Sequence, residues 1–125
     1  MKEVSNIPPM KDFDWTGVKV KYANTLHFIP TYYIYLPHDV VKQLGEARNI
    51  AGACNALGAF IAGAFGSLGP AAVLPAAAFI LLAAWMTAQL YLINWMDEGN
   101  GVTLQTFVMP TQPYWVPHTG DLIDN

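Results

Sequence analysis

Hydrophobic and polar positions alternate near the start of the chain, then give way to a long stretch with hardly any polar positions. Residues 18–22, VKVKY, have period two, which places Val18, Val20 and Tyr22 on one face of a strand and Lys19 and Lys21 on the other. Residues 26–36, LHFIPTYYIYL, are rich in aromatic and β-branched types and predict a second strand, with Pro30 calling for an edge, bulge or turn. Asn24 and Thr25 suit the turn between them, so 18–36 is expected to form a strand region built as a hairpin. Ahead of it, residues 1–17 read as an irregular N-terminal arm. Pro8 and Pro9 block a helix interior there, and Asp12, Asp14 and Gly17 favour turns.

The period changes after Pro37-His38-Asp39. Asp39 suits a first helical turn, where its carboxylate meets unpaired N–H groups. From Val40 onward Leu44, Ala47, Ile50, Cys54, Leu57, Ile61, Phe65 and Leu68 recur at threes and fours. Polar residues mark one face only in the first turns, at Lys42, Gln43, Glu46, Arg48 and Asn49. Gly66-Ser67-Leu68-Gly69-Pro70 reads as a break between helices. A second helix is predicted from Pro70 to Met96, with Pro75 in its early turns and Asp97-Glu98-Gly99-Asn100-Gly101 ending it. Residues 39–96 are therefore predicted to form an apolar helical hairpin. Residues 102–109, VTLQTFVM, alternate again and predict a third strand. Residues 110–125 form a tail in which Pro110, Pro113 and Pro117 surround Tyr114 and Trp115, predicting an extended or polyproline-like arm. The expected fold is a single α+β domain over 1–125. A small antiparallel sheet flanks a long apolar antiparallel helical hairpin, in the order β-β-α-α-β.

Charge changes this picture from a fold into a functional question. The 125 residues are 54% hydrophobic and 12% charged, against roughly 25% charged in an ordinary soluble domain. Six Lys and Arg against nine Asp and Glu give a net charge of −3, which excludes a general cationic nucleic-acid binder, so no nucleic acid partner is expected. Every basic residue lies at or before Arg48, and residues 49–96 carry no formal charge. A membrane span needs about 20 apolar residues, and 49–68 and 70–96 would supply two. Gly52 and Ala56, Ala59 and Gly63, and Ala62 and Gly66 have the four-residue spacing that lets helix backbones approach. With Gly58, Phe60, Phe65, Phe79, Leu82, Trp85 and Trp95 they make up the expected insertion or helix-packing set. Asn55, Thr87, Gln89 and Asn94 are the candidates for a polar lining or interhelical contact. Tyr32, Tyr33, Tyr35, Tyr114 and Trp115 are the candidate interface aromatics. The Met1 end has an acidic residue and two prolines where a secretory signal would place its apolar run. The expected localisation is membrane-associated, or secreted by a route without a visible signal peptide.

The stretch IAGACNALGAFIAGAFGSLGPAAVLPAAAFILLAAW, residues 50–85, resembles the hydrophobic hairpin of pore-forming bacteriocins and related bacterial toxins. The resemblance implies an antimicrobial, toxin-like protein whose hairpin is sheltered in its stored form and enters a target bilayer, acting as an oligomer. Two other readings of the same stretch stay open. One is a non-enzymatic structural homo-oligomer whose hairpins share a core. The other is an accessory or immunity-like membrane protein. The expected partners are further copies of the chain, a lipid bilayer and a receptor whose nature the sequence does not reveal.

Catalytic chemistry finds little footing. His27, His38 and His118 fall on three elements without metal-ligand spacing. Cys54 stands alone, with no neighbouring base to lower its pKa. Asp12 with Asp14, and Asp97 with Glu98, read as turn or boundary acids. GAFGSLG lacks the phosphate-loop lysine, and G-x-G-x-x-G does not occur. No catalytic residue, metal or cofactor is expected.

Overall fold

The computed structural model describes residues 13–25, 29–69, 76–108 and 113–123. Its elements are β1 (Lys19–Thr25), β2 (Ile29–Leu36), α1 (His38–Glu46), α2 (Ile50–Gly66), α3 (Ala76–Ala88), α4 (Leu90–Met96), β3 (Val102–Val108) and β4 (Pro113–Thr119). The strands form one sheet in the order β1-β2-β3-β4, with every neighbouring pair antiparallel. The helices enter the chain between β2 and β3, the two central strands.

Period two decides which face of the sheet meets the helices. Val20 pairs with Ile34 and Tyr22 with Tyr32, and on the other side of β2 Ile34 pairs with Leu104 and Leu36 with Val102. These residues join Val40, Val41 and Leu44 of α1, Leu57, Ile61 and Phe65 of α2, Leu82 and Met86 of α3, and Leu90 and Ile93 of α4 in one core. Each helix gives the core one stripe, as a helix on a sheet must. The alternate sheet positions Lys19, Lys21, Tyr33, Tyr35, Gln105 and His118 fall on the outer face. The arm before β1 is tied down by a reciprocal pair of bonds. The Asp14 N–H donates to Gln43 Oε1 at 2.8 Å, and Gln43 Nε2 donates to the Asp14 carbonyl at 2.7 Å.

The order is therefore β-β-α-α-α-α-β-β, and the long hairpin expected over 39–96 is replaced by short helices. The first expected helix is cut at Ala47, which is extended at φ −68° and ψ 138°. Asn49 then starts a new helix, its side-chain oxygen accepting the Gly52 N–H at 2.9 Å. The second is interrupted at Gln89, at φ −108° and ψ 18°. Among the described residues the longest helix, α2, has 17 residues, which is about 25 Å at 1.5 Å per residue and short of the roughly 30 Å hydrocarbon core of a bilayer. No helix among the described residues is long and apolar enough to cross a membrane. That overturns the likeness to bacteriocin and toxin hairpins, the pore-forming and antimicrobial reading, the immunity-like membrane reading, and the membrane-associated or leaderless-secreted localisation built on them. Counting uncharged residues gave the length of two spans because the count took in Asn49, which caps α2 from outside it, and Ser67 and Leu68 beyond its end, and ran on through Gln89.

The tail is also corrected. Residues 113–119 form strand β4, with Pro117 opposite Leu104 and Pro113 opposite Val108. Prolines fit there because β4 is an edge strand, where a missing N–H need not break a ladder. Pro30 is placed by the same logic. It pairs with Asn24 of β1, at the end of β2 beyond the pairing with β3, which begins at Thr31. Asn24 and Thr25, expected to form the turn, lie instead in β1, paired with Pro30 and Ile29. Residues 1–12 of the expected arm, residues 26–28 of the expected second strand, Pro70 and Pro75 lie outside the described residues.

Candidate interaction surfaces

A helix buried by one stripe and apolar all round must show apolar surface on its other side. Phe60 and Leu68 at the α2 end, Leu81 on α3, and Tyr91 and Trp95 on α4 are exposed, Tyr91 at 73% and Trp95 at 78%. Ala51, Asn55, Ala59 and Gly63 of α2 and Ala84, Thr87 and Ala88 of α3 are exposed among them. This outer face of the helix layer carries no charge from residue 49 to residue 96.

The expected packing set divides between the two sides of the helices. Phe65, Leu82 and Gly58 are buried, while Ala56, Ala62 and Trp85 are half-buried. Phe60, Ala59, Gly63 and Trp95 face outward. A Cβ at Gly63 or Gly66 would meet nothing within 4 Å, whereas one at Gly52 would meet Asn49 Nδ2 at 2.7 Å. Gly52 is therefore needed by the cap of its own helix. The side chain of Phe79 lies outside the described ones.

The expected polar set is likewise split. Asn55 and Thr87 come together in an open cleft of about 390 Å³ between α2 and α3, lined also by Ala51, Ala83, Ala84 and Ala88. Thr87 Oγ1 donates to the Ala83 carbonyl at 2.8 Å. Asn94 lies elsewhere, donating to the Leu90 carbonyl at 3.1 Å and packing over Gly45, where α1 meets α4. Gln89 marks the interruption between α3 and α4. Cys54 is fully buried, and burial pushes its thiol pKa up against a weaker opposing hydrogen bond with Thr87. A thiol so placed is chemically quiet.

Of the candidate aromatics, Tyr32 and Trp115 turn inward. Tyr32 meets Phe65 edge-on with centroids 5.1 Å apart, and Trp115 lies 6.5 Å from Trp85. Tyr33 and Tyr35 sit on the outer sheet face beneath lysines, with Lys21 Nζ 5.8 Å from the Tyr33 ring and Lys19 Nζ 5.0 Å from the Tyr35 ring. Beside them His118 Nε2 lies 2.8 Å from Gln105 Oε1. The segment after β4 runs across this face. Thr103 Oγ1 donates to the Gly120 carbonyl at 2.7 Å and accepts the Leu122 N–H at 3.0 Å, and Asp121 pairs with Lys19. The outer sheet face is thus covered by its own chain at the Lys19 and Thr103 end. The Tyr114 side chain lies outside the described ones.

One pairing has no signal in the sequence. His38 Nδ1 and Asp97 Oδ2 are 2.6 Å apart, joining the first residue of α1 to the end of α4 across 59 positions. The Asp97 side chain is 4% exposed, and its other oxygen accepts the Gly99 and Gly101 N–H groups at 3.0 Å each. Burial alone would raise the Asp97 pKa. The hydrogen bonds from His38, Gly99 and Gly101, with the His38 charge, outweigh burial and hold it below the usual carboxylate range. The pair is a clasp that shapes the turn into β3. Among the described residues, no cluster of three or more His, Cys, Asp or Glu is placed to hold a metal ion.

The arrangement defines a two-layer α+β module with a polar outer sheet face and, over α2, α3 and α4, a charge-free, aromatic-bearing helix surface. Comparison of the chain with protein-family models, with curated proteins and with solved structures finds no match in any of the three.

Proposed function

We propose that this protein is a non-catalytic assembly module that associates with further copies of itself through the outer face of its helix layer. The observation that carries this reading is the exposure of Tyr91 and Trp95, at 73% and 78%, on a helix without a single charge. Aromatic side chains are large, about 150–250 Å² each, so these two, mostly exposed on one short helix, present about 300 Å², which is the size of the largest apolar patch of a typical monomer, roughly 300–600 Å². Interface centres are depleted in charge and enriched in Tyr, Trp and Phe, and this face has that composition. The non-catalytic part of the reading is supported by Cys54, which is buried, and by the His38–Asp97 pair, whose carboxylate is spent on backbone N–H groups.

The test is the solution mass by sedimentation velocity over a wide concentration range, without detergent. A mass rising to a discrete multiple of the monomer is expected. A monomer at every concentration would sink the reading.

A further inference from the structure

The turn between α4 and β3 contains Asn100-Gly101, a dipeptide with a chemistry of its own. Asparagine is among the thermolabile residues. The main-chain nitrogen of the next residue can attack its side-chain amide carbon, and a following glycine has no Cβ to obstruct the attack. The Asn100 side chain is exposed, so its amide is open to solvent water. The fold instead restrains the nucleophile. Gly101 is buried, and its N–H donates to Asp97 Oδ1 at 3.0 Å. The Asn100 carbonyl, at the other end of the same peptide unit, accepts the Tyr35 hydroxyl at 2.8 Å. The Gly101 carbonyl accepts the Gly120 N–H at 2.9 Å. The unit that would have to turn and attack is therefore held at its N–H and its C=O. The Asp97 charge opposes the reaction as well. Attack requires the Gly101 nitrogen to give up its proton, and a neighbouring negative charge disfavours a second one.

We propose that Asn100 is a self-modification site gated by the His38–Asp97 clasp. The closed clasp keeps Asn100 intact, and opening of the turn lets Gly101 convert it to aspartate or isoaspartate. The conversion needs water and no other reactant. The Gly101 nitrogen forms a bond to Asn100 Cγ, the Cγ–Nδ2 bond breaks, and Nδ2 leaves as ammonia with the Gly101 proton. The cyclic imide that results takes up water. Hydrolysis at Cγ gives aspartate. Hydrolysis at the former main-chain carbonyl gives isoaspartate, whose main chain is one carbon longer. The change is one-way, because ammonia is lost to solvent. The longer chain also refits poorly. Gly101 is packed so closely that a Cβ there would collide with the Leu36 carbonyl oxygen, which leaves no slack for the added carbon. Either product places a further carboxylate next to Asp97 and Glu98. The site thus records each opening of the junction between helices and sheet, and it does so whether or not the protein self-associates.

The test follows Asn100 in the whole chain at neutral pH, by mass spectrometry of the peptide that contains it and by isoaspartate-specific enzymatic methylation. Circular dichroism checks that each variant is folded. The folded wild type is expected to react at least about tenfold more slowly than the same chain unfolded in urea, since only the locally opened form reacts. Asp97→Ala removes the acceptor and the charge together, and is expected to bring the folded protein most of the way to the unfolded rate. His38→Ala keeps the carboxylate but frees its second oxygen, and is expected to raise the rate severalfold. His38 is exposed, so this variant decides the matter if Asp97→Ala does not fold. Asn49→Ala destabilises the protein away from the turn and is expected to leave the rate near that of the wild type. A folded wild type that reacts as fast as the unfolded chain would overturn the proposal. An unchanged rate in folded Asp97→Ala, or in His38→Ala where Asp97→Ala does not fold, would overturn it too. An equal rise in Asn49→Ala would do the same, by showing that protection comes from global stability and not from the clasp.

Discussion

Two residues at the helix-to-sheet junction carry more than their size suggests. Gly101 has φ +82°, and a Cβ there would lie 2.4 Å from the Leu36 carbonyl oxygen and 2.8 Å from the Tyr35 ring. Both the conformation and the contact exclude a side chain. Gly101→Ala is expected to destabilise the fold by about 2–4 kcal/mol, on the scale of backbone strain combined with overpacking, measured as a shift of the urea midpoint. Asp97 is the second. Its carboxylate holds His38 and two loop N–H groups at once. Asp97→Asn removes the charge from three hydrogen bonds and is expected to cost about 1–3 kcal/mol. Because the folded-state pKa lies below the ordinary carboxylate value, the contribution is fully present above that ordinary value. It is lost as pH falls through the depressed one. Urea unfolding as a function of pH should therefore show an acid limb in the wild type that is shallower in Asp97→Asn. Parallel acid limbs would contradict this assignment.

At the level of elements, the helix layer is held by a cap and a stripe. The Asn49 side chain is what makes α2 a separate helix, and Asn49→Ala is expected to cost about 1 kcal/mol, seen as a lower thermal midpoint. Phe65 is fully buried against Tyr32, and Phe65→Ala is expected to cost about 3–5 kcal/mol. The contrast tests which surfaces are core, since Phe60→Ala, five residues earlier and exposed, should change monomer stability by less than about 1 kcal/mol. The strands β1 and β3 were readable from period two, and β2 from its aromatic and β-branched residues. β4 was not, since Pro113 and Pro117 argue against a strand unless it is known to lie at an edge. The breaks at Ala47 and Gln89 were hidden because apolar residues keep their three- and four-residue spacing through both. The capping asparagine at position 49 was the one local signal, and the periodicity around it masked it.

The whole molecule separates its charge from its apolar surface. Lys19 and Lys21, the His38–Asp97 clasp and the Asp121 contact lie at the sheet and its junctions, α1 carries Asp39, Lys42 and Glu46, and the layer formed by α2, α3 and α4 is uncharged. Such a layer is expected to drive association that survives salt, since no ion pair contributes to it. Tyr91→Asp should therefore release monomers at every ionic strength, by burying an unpaired charge in the interface. Light scattering at low and high salt checks both statements. A dimer that dissociates in salt would point to an interface on the charged face instead.

The sequence by itself determined the strand faces of β1 and β3, the placement of every charge outside residues 49–96, and the lack of any compact motif for catalysis or metal binding. These follow from local period and composition, which a chain carries wherever it folds. Only the tertiary structure decided that the uncharged stretch is cut into short helices lying against a sheet. The core needs one stripe from each, and the sheet is too short to be matched by a long one. It alone joined Asn55 to Thr87 and His38 to Asp97, and it alone turned Tyr91 and Trp95 outward. Which side of an all-apolar helix is buried is not written in its periodicity. It is set by what the helix packs against.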